Sequence, residues 1–502
     1  MLTTADGTPL WVPQTTIAML DRAAARWPGN TALVCEGELL TYAAYHDRVM
    51  HLASRLAAQG IAGRRVAIVL RNGIDIALAL FAVQAAGGAT AALNPDYTAG
   101  ELAPILAQVE PALVITHDDL RAALVPLLPA GCPVVTVPDL LEAGPGTAPL
   151  PEIDPASMAV LQFTGGTTGI PKGAMLSHRA VAINVVQREA VLPTREAEER
   201  ITCMMPLYHS FAAAMCLHLA AYSGGALHIL PRYRPDWLLE TIAREKITRL
   251  PAGPTVFNSL LGFDGLTREG VASLVCAYSG SAPLPHDTLA RWEAATGVPI
   301  YEGYGQSEAG PVLTYHGPGM ALKQGSVGPA LPLTELRIDG DGPLGEVLAR
   351  GPQIMDGYLG RAEETAATLE HGWLHTGDIG RLDEDGYLFI EDRKKDMAIV
   401  GGFNVYPREI DEVLAAHPAV REAGAVGVPD SYRGEVIWAF VAGDGVTDGA
   451  VTDHCAARLA KYKRPARLIV LDALPRTPVG KIDKQALKAL ARTMLAETEH
   501  AA

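Results

Sequence analysis

Residues 64–95 read RRVAIVLRNGIDIALALFAVQAAGGATAALNP. A short β-branched run comes first. An apolar run with helical spacing follows and stops at Gly87-Gly88, and a second short apolar run comes after it. Strand, helix, strand in that order is the unit of a parallel sheet, because parallel neighbours need a long crossover between them. The cycle returns at PALVITHDDLRAAL with CPVVTVPDL, and again at GGALHILP with DWLLETIAREKITRLPAG. From Leu344 the character changes: GEVLARGP, GRLDEDGYLFIEDR and MAIVGGFNV read as strands joined by turns. Beyond Pro407, REIDEVLAAHP reads as an amphipathic helix, EAGAVGVPD and VIWAFVAG as strands, and HCAARLAKY as a further helix. The expected fold class is α/β. A large N-terminal domain of mixed, mostly parallel sheets and helices carries a β-rich subdomain, and a small α+β unit follows. At 502 residues the chain exceeds one ordinary domain.

Composition excludes several classes. Hydrophobic residues make up 49% and charged residues 19%, the balance of a globular protein that can bury a large core. The net charge of −15 argues against a nucleic-acid surface, which needs a basic face. The six cysteines show no metal or disulfide spacing, so a reducing, cytoplasmic setting is expected. MLTTADGTPLW lacks the basic and apolar regions of a signal peptide. The apolar region Ile74–Leu93 carries Asp75 and two glycines, and reads as buried helix plus strand rather than a membrane span.

The stretch TGGTTGIPKG, from Thr164 to Gly173, lies between the strand-like runs MAVLQF and GAMLSH. A Gly/Thr loop between strands can turn N–H and O–H donors toward one anion, and Lys172 adds positive charge. The register is not that of a Walker loop, because Lys172 stands between Pro171 and Gly173.

TGGTTGIPKGAMLSH resembles the phosphate loop of the adenylate-forming enzymes, which include acyl-CoA synthetases, firefly luciferase and peptide-synthetase adenylation domains. Its variant with Gly166 before the threonines is similar to that of bacterial long-chain acyl-CoA ligases. PLYH (Pro206–His209), YEGYGQSE (Tyr301–Glu308), GWLHTGD (Gly372–Asp378), EDRKKDMAIVGGFNVYPREID (Glu391–Asp411) and PRTPVGKIDK (Pro475–Lys484) resemble further motifs of that family, in the family's order and over essentially the whole chain.

The resemblance implies a reaction and its parts. A carboxylate attacks the α-phosphorus of ATP, giving an acyl-adenylate and pyrophosphate, and a thiol then displaces AMP. The first step brings an anion to a polyanion, so charge must be neutralised and geometry fixed. By resemblance, Thr164, Gly165, Gly166, Thr167, Thr168, Gly169 and Lys172 hold ATP phosphates, and Ser307 supplies a further hydroxyl. Thr164 and Glu308 bind magnesium, a hard ion suited to oxygen ligands. Gly280, Ser281, Glu302, Gly303, Tyr304 and Gly305 form the adenine side, with Tyr304 stacking on the base, and Asp378 and Arg393 hold the ribose. Lys481 is the catalytic lysine that bridges carboxylate and α-phosphate, with His209 and Lys172 as further catalytic candidates. Lys395 is the hinge about which a C-terminal domain, 395–502, turns against the N-terminal domain, 1–394. Gly401 and Gly402 line the coenzyme A tunnel.

The acid itself is less legible. His209, Phe211, Ala213, Thr255, Ser279 and Gly305 are the expected acyl-site residues. No arginine or lysine is evidently placed for a second carboxylate, which disfavours dicarboxylic acids. A medium- or long-chain fatty acid is favoured by the loop variant, and an aryl acid stays open. The expected cofactors are ATP, Mg2+ and coenzyme A. A carrier protein or an amine stands as the alternative acyl acceptor, and a homodimer as a candidate assembly.

Overall fold

A computed structural model describes residues 2–164, 171–394, 396–400, 403–430, 433–477 and 480–500. The alternating segments build two sheets. In the first, the strand Arg65–Val69 runs parallel to Ala89–Ala92 and Leu113–Thr116, and Met158–Thr164 and Lys172–Ser177 extend it. In the second, Arg200–Cys203, Ala226–Ile229, Arg249–Ala252, Cys276–Ser279 and Ile300–Gly305 run parallel, and Val312–Tyr315 closes one edge antiparallel.

Two helices, Ile74–Ala85 and His178–Val191, lie in the core between these sheets and are buried on every face. That explains why the first has no polar stripe. The second carries Asn184, Gln187, Arg188 and Glu189, all buried, so each must find partners inside the protein. Ser177 caps this helix by accepting from the Ala180 N–H at 3.2 Å.

The turn-rich region from Leu344 joins two strands that precede it in an antiparallel sheet of order Ser326–Pro329, Tyr387–Arg393, Trp373–Leu382, Gly345–Arg350, Glu335–Asp339. The small unit packs Glu422–Asp430 and Gly434–Ala442 against the helices Pro407–Ala415 and Lys484–His500. Its strand Arg467–Val470 falls in a segment that carries no clear period, and it pairs parallel with Gly434–Ala442. Among the described residues no helix is long and apolar enough to cross a membrane, and all six cysteines are unpaired.

Candidate active site

The site lies where the two large sheets, the antiparallel sheet and the small unit meet. Asp378 and Arg393 are cross-strand partners in the antiparallel sheet. Arg393 Nε donates to Asp378 Oδ1 at 2.7 Å, and Tyr304 Oη donates to Asp378 Oδ2 at 2.5 Å. Asp378 is almost fully buried, whereas the Arg393 side chain is half exposed. The Asp378 N–H donates to Thr376 Oγ1 at 3.1 Å, and the Thr376 hydroxyl in turn donates to the Val347 carbonyl, so the backbone of Asp378 is fixed as well as its carboxylate. Tyr304 therefore joins Asp378 through its hydroxyl, and burial pushes its phenol well up.

Lys481 comes to the same place on a tight turn. The Thr477 N–H donates to the Lys481 carbonyl at 2.7 Å, and the Lys481 N–H returns to Thr477 Oγ1 at 3.2 Å. Gly480, at φ +81°, supplies the left-handed residue this turn requires. Burial pulls the Lys481 ammonium down to about 8. The Arg393 guanidinium adds to that fall, and Asp378 opposes it. His209 is the next neighbour: burial, then the Lys481 charge, draws its imidazole down to about 4, so it is neutral at pH 7. Its Nδ1 accepts from the Phe211 N–H at 3.3 Å and starts the helical segment that holds Phe211 and Ala213. Ser210 Oγ lies 3.3 Å from Ser307 Oγ, which ties that segment to the loop after Tyr304.

Gly280 faces Phe211 so closely that a Cβ would stand 2.5 Å from Phe211 Cε2. A Cβ at Gly303 would meet the Tyr315 ring at 2.2 Å, and one at Gly305 would strike the Pro311 carbonyl, so the backbone approach itself demands glycine at these positions. Ser281 has φ +68°, a strained conformation for a residue with a side chain. Ser279 is buried, and its Oγ has no hydrogen-bond partner.

The anion side is built from the strand pair. Thr164 and Lys172 oppose each other as its last pair, so the loop leaves and returns at adjacent positions. Lys172 pairs with Glu364, and its ammonium lies 5.1 Å from the Tyr358 ring centroid. Tyr358 Oη donates to Glu308 Oε1 at 2.8 Å, orienting that carboxylate. Glu364 and Tyr358 were not legible in the sequence, because no motif carries them. Among the described residues no group of three or more His, Cys, Asp or Glu forms a metal cage. Magnesium suits such a site. It keeps several waters and takes one or two carboxylates together with substrate phosphates, so Glu308 and Thr164 fit it as protein oxygens.

Not every expected residue converges. Thr255 is exposed at the start of the helix Pro254–Leu261. Glu302 is pushed up to about 7 by burial, with Arg408 of the small unit drawing it back. Gly165, Gly166, Thr167, Thr168, Gly169, Lys395, Gly401 and Gly402 lie outside the described residues.

A model of the AMP-binding enzymes matches residues 20–359, and one of the AMP-binding enzyme C-terminal domain matches residues 409–481. The chain belongs to the AMP-binding enzyme family. This AMP-binding enzyme is 34% identical to a long-chain-fatty-acid–CoA ligase of Bacillus subtilis, over 94% of this chain and 93% of the relative. It superposes on ATP-bound MatB from Rhodopseudomonas palustris with a TM-score of 0.89 and 30% identity, covering 95% of this chain and 99% of that one. The o-succinylbenzoate CoA synthetase of Bacillus subtilis, in complex with its acyl-adenylate, gives a TM-score of 0.84 at 30% identity over 94% and 97% of the two chains. A further structure of that synthetase holds ATP and a magnesium ion. This AMP-binding enzyme is an AMP-forming acyl-CoA ligase, with ATP, Mg2+ and coenzyme A as its cofactors.

Proposed function

We propose that the ligase makes its acyl-adenylate at the junction of Tyr304, Asp378, Arg393, His209 and Lys481. The observation that carries this reading is that Lys481, 88 residues beyond Arg393 in the chain, shares one electrostatic site with Arg393, Asp378 and His209. The Asp378 carboxylate accepts from the ribose hydroxyls, and Arg393 pairs with it and orients it. Lys481 places its positive charge between the attacking carboxylate and the α-phosphate, lowering the repulsion between two anions. Neutral His209 holds the entry to the acyl pocket, which Phe211 and Gly280 line. Thr164, Lys172 and Ser307 face the phosphates. Glu308 and Thr164 hold magnesium, which supplies charge neutralisation to the phosphate oxygens.

The thioester step needs Lys481 out of the way, and Lys395 is the proposed hinge. Its flanks are anchored to opposite parts. Lys394 Nζ pairs with Glu346 of the antiparallel sheet at 2.9 Å, while Asp396 pairs with Lys488 of the last helix at 2.9 Å. A turn at residue 395 moves one set of anchors against the other and leaves both intact. Gly401 and Gly402 are the proposed lining of the coenzyme A tunnel.

The long-chain-fatty-acid–CoA ligases among the relatives support a fatty acid as substrate. The close approach of Phe211 to Gly280 favours a compact acyl group as the second reading. The six unpaired thiols suit a reducing cytoplasm. The test is incubation of purified protein with Mg2+, ATP and a pooled panel of fatty and aryl acids, with and without coenzyme A, read by mass spectrometry. An acyl-CoA that forms only with coenzyme A supports the reading and identifies the acid. Acyl-adenylates that persist unchanged when coenzyme A is present contradict it.

A further inference from the structure

The strand Cys276–Ser279 leads from the core to Gly280, which follows it directly, and Tyr278 lies two residues before that glycine. Gly280 meets Phe211. Two residues inward, roughly 7 Å along an extended chain, the ring of Tyr278 carries the Arg188 guanidinium at 4.9 Å. Arg188 is 2% exposed. Its Nη1 donates to Glu189, whose other carboxylate oxygen is taken by the Thr194 N–H and hydroxyl at 3.0 and 2.6 Å. Nε and Nη2 of Arg188 have no partner, and neither does Tyr278 Oη or Tyr315 Oη. The Tyr278 and Tyr315 rings pack edge to face at 6.5 Å.

A cavity about one water molecule in size lies against this guanidinium, lined also by Asn184, Ala214, Met215 and Val312. Asn184 commits its amide to both backbone groups of Val312, at 3.0 and 2.8 Å, so the unpaired donors at the cavity belong to Arg188. The opposite wall is a stretch of π-helix, Ala213–His218, that continues the short helix Ser210–Ala212 carrying Phe211. A π-turn and the unbranched side chain of Met215 let the wall give way.

Buried donors without partners each cost about 1–3 kcal/mol, so the unpaired Nε and Nη2 of Arg188 at this cavity call for an acceptor. The acceptor's charge follows from the surroundings. Arg188 is neutralised by Glu189, and Arg249, whose Nη2 lies 2.8 Å from Glu199, is neutralised in the same way. A second carboxylate would enter as an uncompensated buried anion, whereas a carbonyl oxygen takes the donors without adding charge.

We propose that the acyl pocket ends at Arg188 and Tyr278, and that the enzyme selects a short acid bearing a neutral hydrogen-bond acceptor, an oxo group, at its far end. This inference rests on the ligase reading above, takes the compact acyl group rather than the long-chain fatty acid, and names the substrate class of that site. It keeps the expectation that no arginine or lysine is placed for a second carboxylate, and gives Arg188 a neutral acceptor instead. The sequence shows the Arg188-Glu189 pair, and the burial of its helix on every face is what the structure adds.

The test is ATP–pyrophosphate exchange with pentanoate and hexanoate, with 4-oxopentanoate and 5-oxohexanoate, and with glutarate and adipate. A long-chain fatty acid and benzoate serve as further acids. The oxo acids are expected to exceed the plain acids at least tenfold in kcat/KM. That advantage is expected to vanish in the paired variant Arg188→Met with Glu189→Gln, which leaves no lone buried charge, and to shrink in Tyr278→Phe, which deletes one oxygen and keeps the ring. Plain acids equal to oxo acids, or an advantage that survives both variants, would make the cavity a site for a structural water and overturn the proposal. A preference for glutarate or adipate would overturn its neutral-acceptor half. Exchange with none of the acids would overturn the adenylation reading together with it, whereas exchange with plain or aryl acids alone overturns only this inference.

Discussion

Asp378→Asn separates the roles assigned at the adenosine end. The substitution keeps the size of the side chain and removes its charge. It weakens the hydrogen bond from Tyr304 at 2.5 Å and the ion pair with Arg393 at 2.7 Å. The Arg393 side chain is 47% exposed, so water takes up much of what the guanidinium loses, and the protein is expected to stay folded. The ribose hydroxyls lose an ionised acceptor. A hydrogen bond to a charged group contributes about 1.5–3 kcal/mol, so the KM for ATP should rise roughly 10- to 150-fold. The same change reaches Lys481. Burial holds that ammonium at about 8, Arg393 lowers it and Asp378 raises it. Without the carboxylate, the ammonium loses its proton at lower pH. Adenylation needs the protonated form, so it is present below about 8 in the native enzyme and lost as pH rises through that value. Because kcat/KM reports groups of the free enzyme, its alkaline limb should move to lower pH in the variant. The assay is ATP–pyrophosphate exchange across pH 6–10 with ATP varied. An unchanged KM for ATP together with an unmoved alkaline limb would refute the reasoning.

Two further substitutions test other parts. Gly280→Ala puts a Cβ 2.5 Å from Phe211, and the resulting overpacking is worth about 1–3 kcal/mol, so kcat/KM for the acid should fall roughly 5- to 150-fold while the KM for ATP holds. Lys395→Pro should spare ATP–pyrophosphate exchange and abolish acyl-CoA formation, since fixing φ at the hinge blocks the turn; equal loss of both in steady-state assays would remove the hinge role.

The sequence carried more of the fold than of the site's inner wall. The run from Arg64 to Pro95 became strand, helix and strand as its periodicity demands, because burial between two sheets needs apolar residues at every position. Tyr304, Asp378, Arg393 and Lys481 were legible because each sits in a local motif. Their mutual contacts were not, since Tyr304 and Asp378 stand 74 residues apart. The helix His178–Val191 shows the limit best. Its Asn184 is paired with Val312, 128 residues away, and its Arg188 rests on Tyr278, so its polar residues are core, and no local pattern in the sequence says so. The partners of Lys172 and Glu308, Glu364 and Tyr358, lie likewise on a segment without a recognisable motif.

The central claim is that Lys481 serves adenylation and has no part in thioester formation. Lys481→Ala, followed by rapid quench in single turnover, measures both half-reactions: ATP plus acid in one syringe set, premade acyl-adenylate plus coenzyme A in the other. Loss of the preorganised positive charge should slow adenylation by about 10²- to 10³-fold, while the premade adenylate is converted to acyl-CoA at close to the native rate. Equal slowing of the two half-reactions would contradict the account.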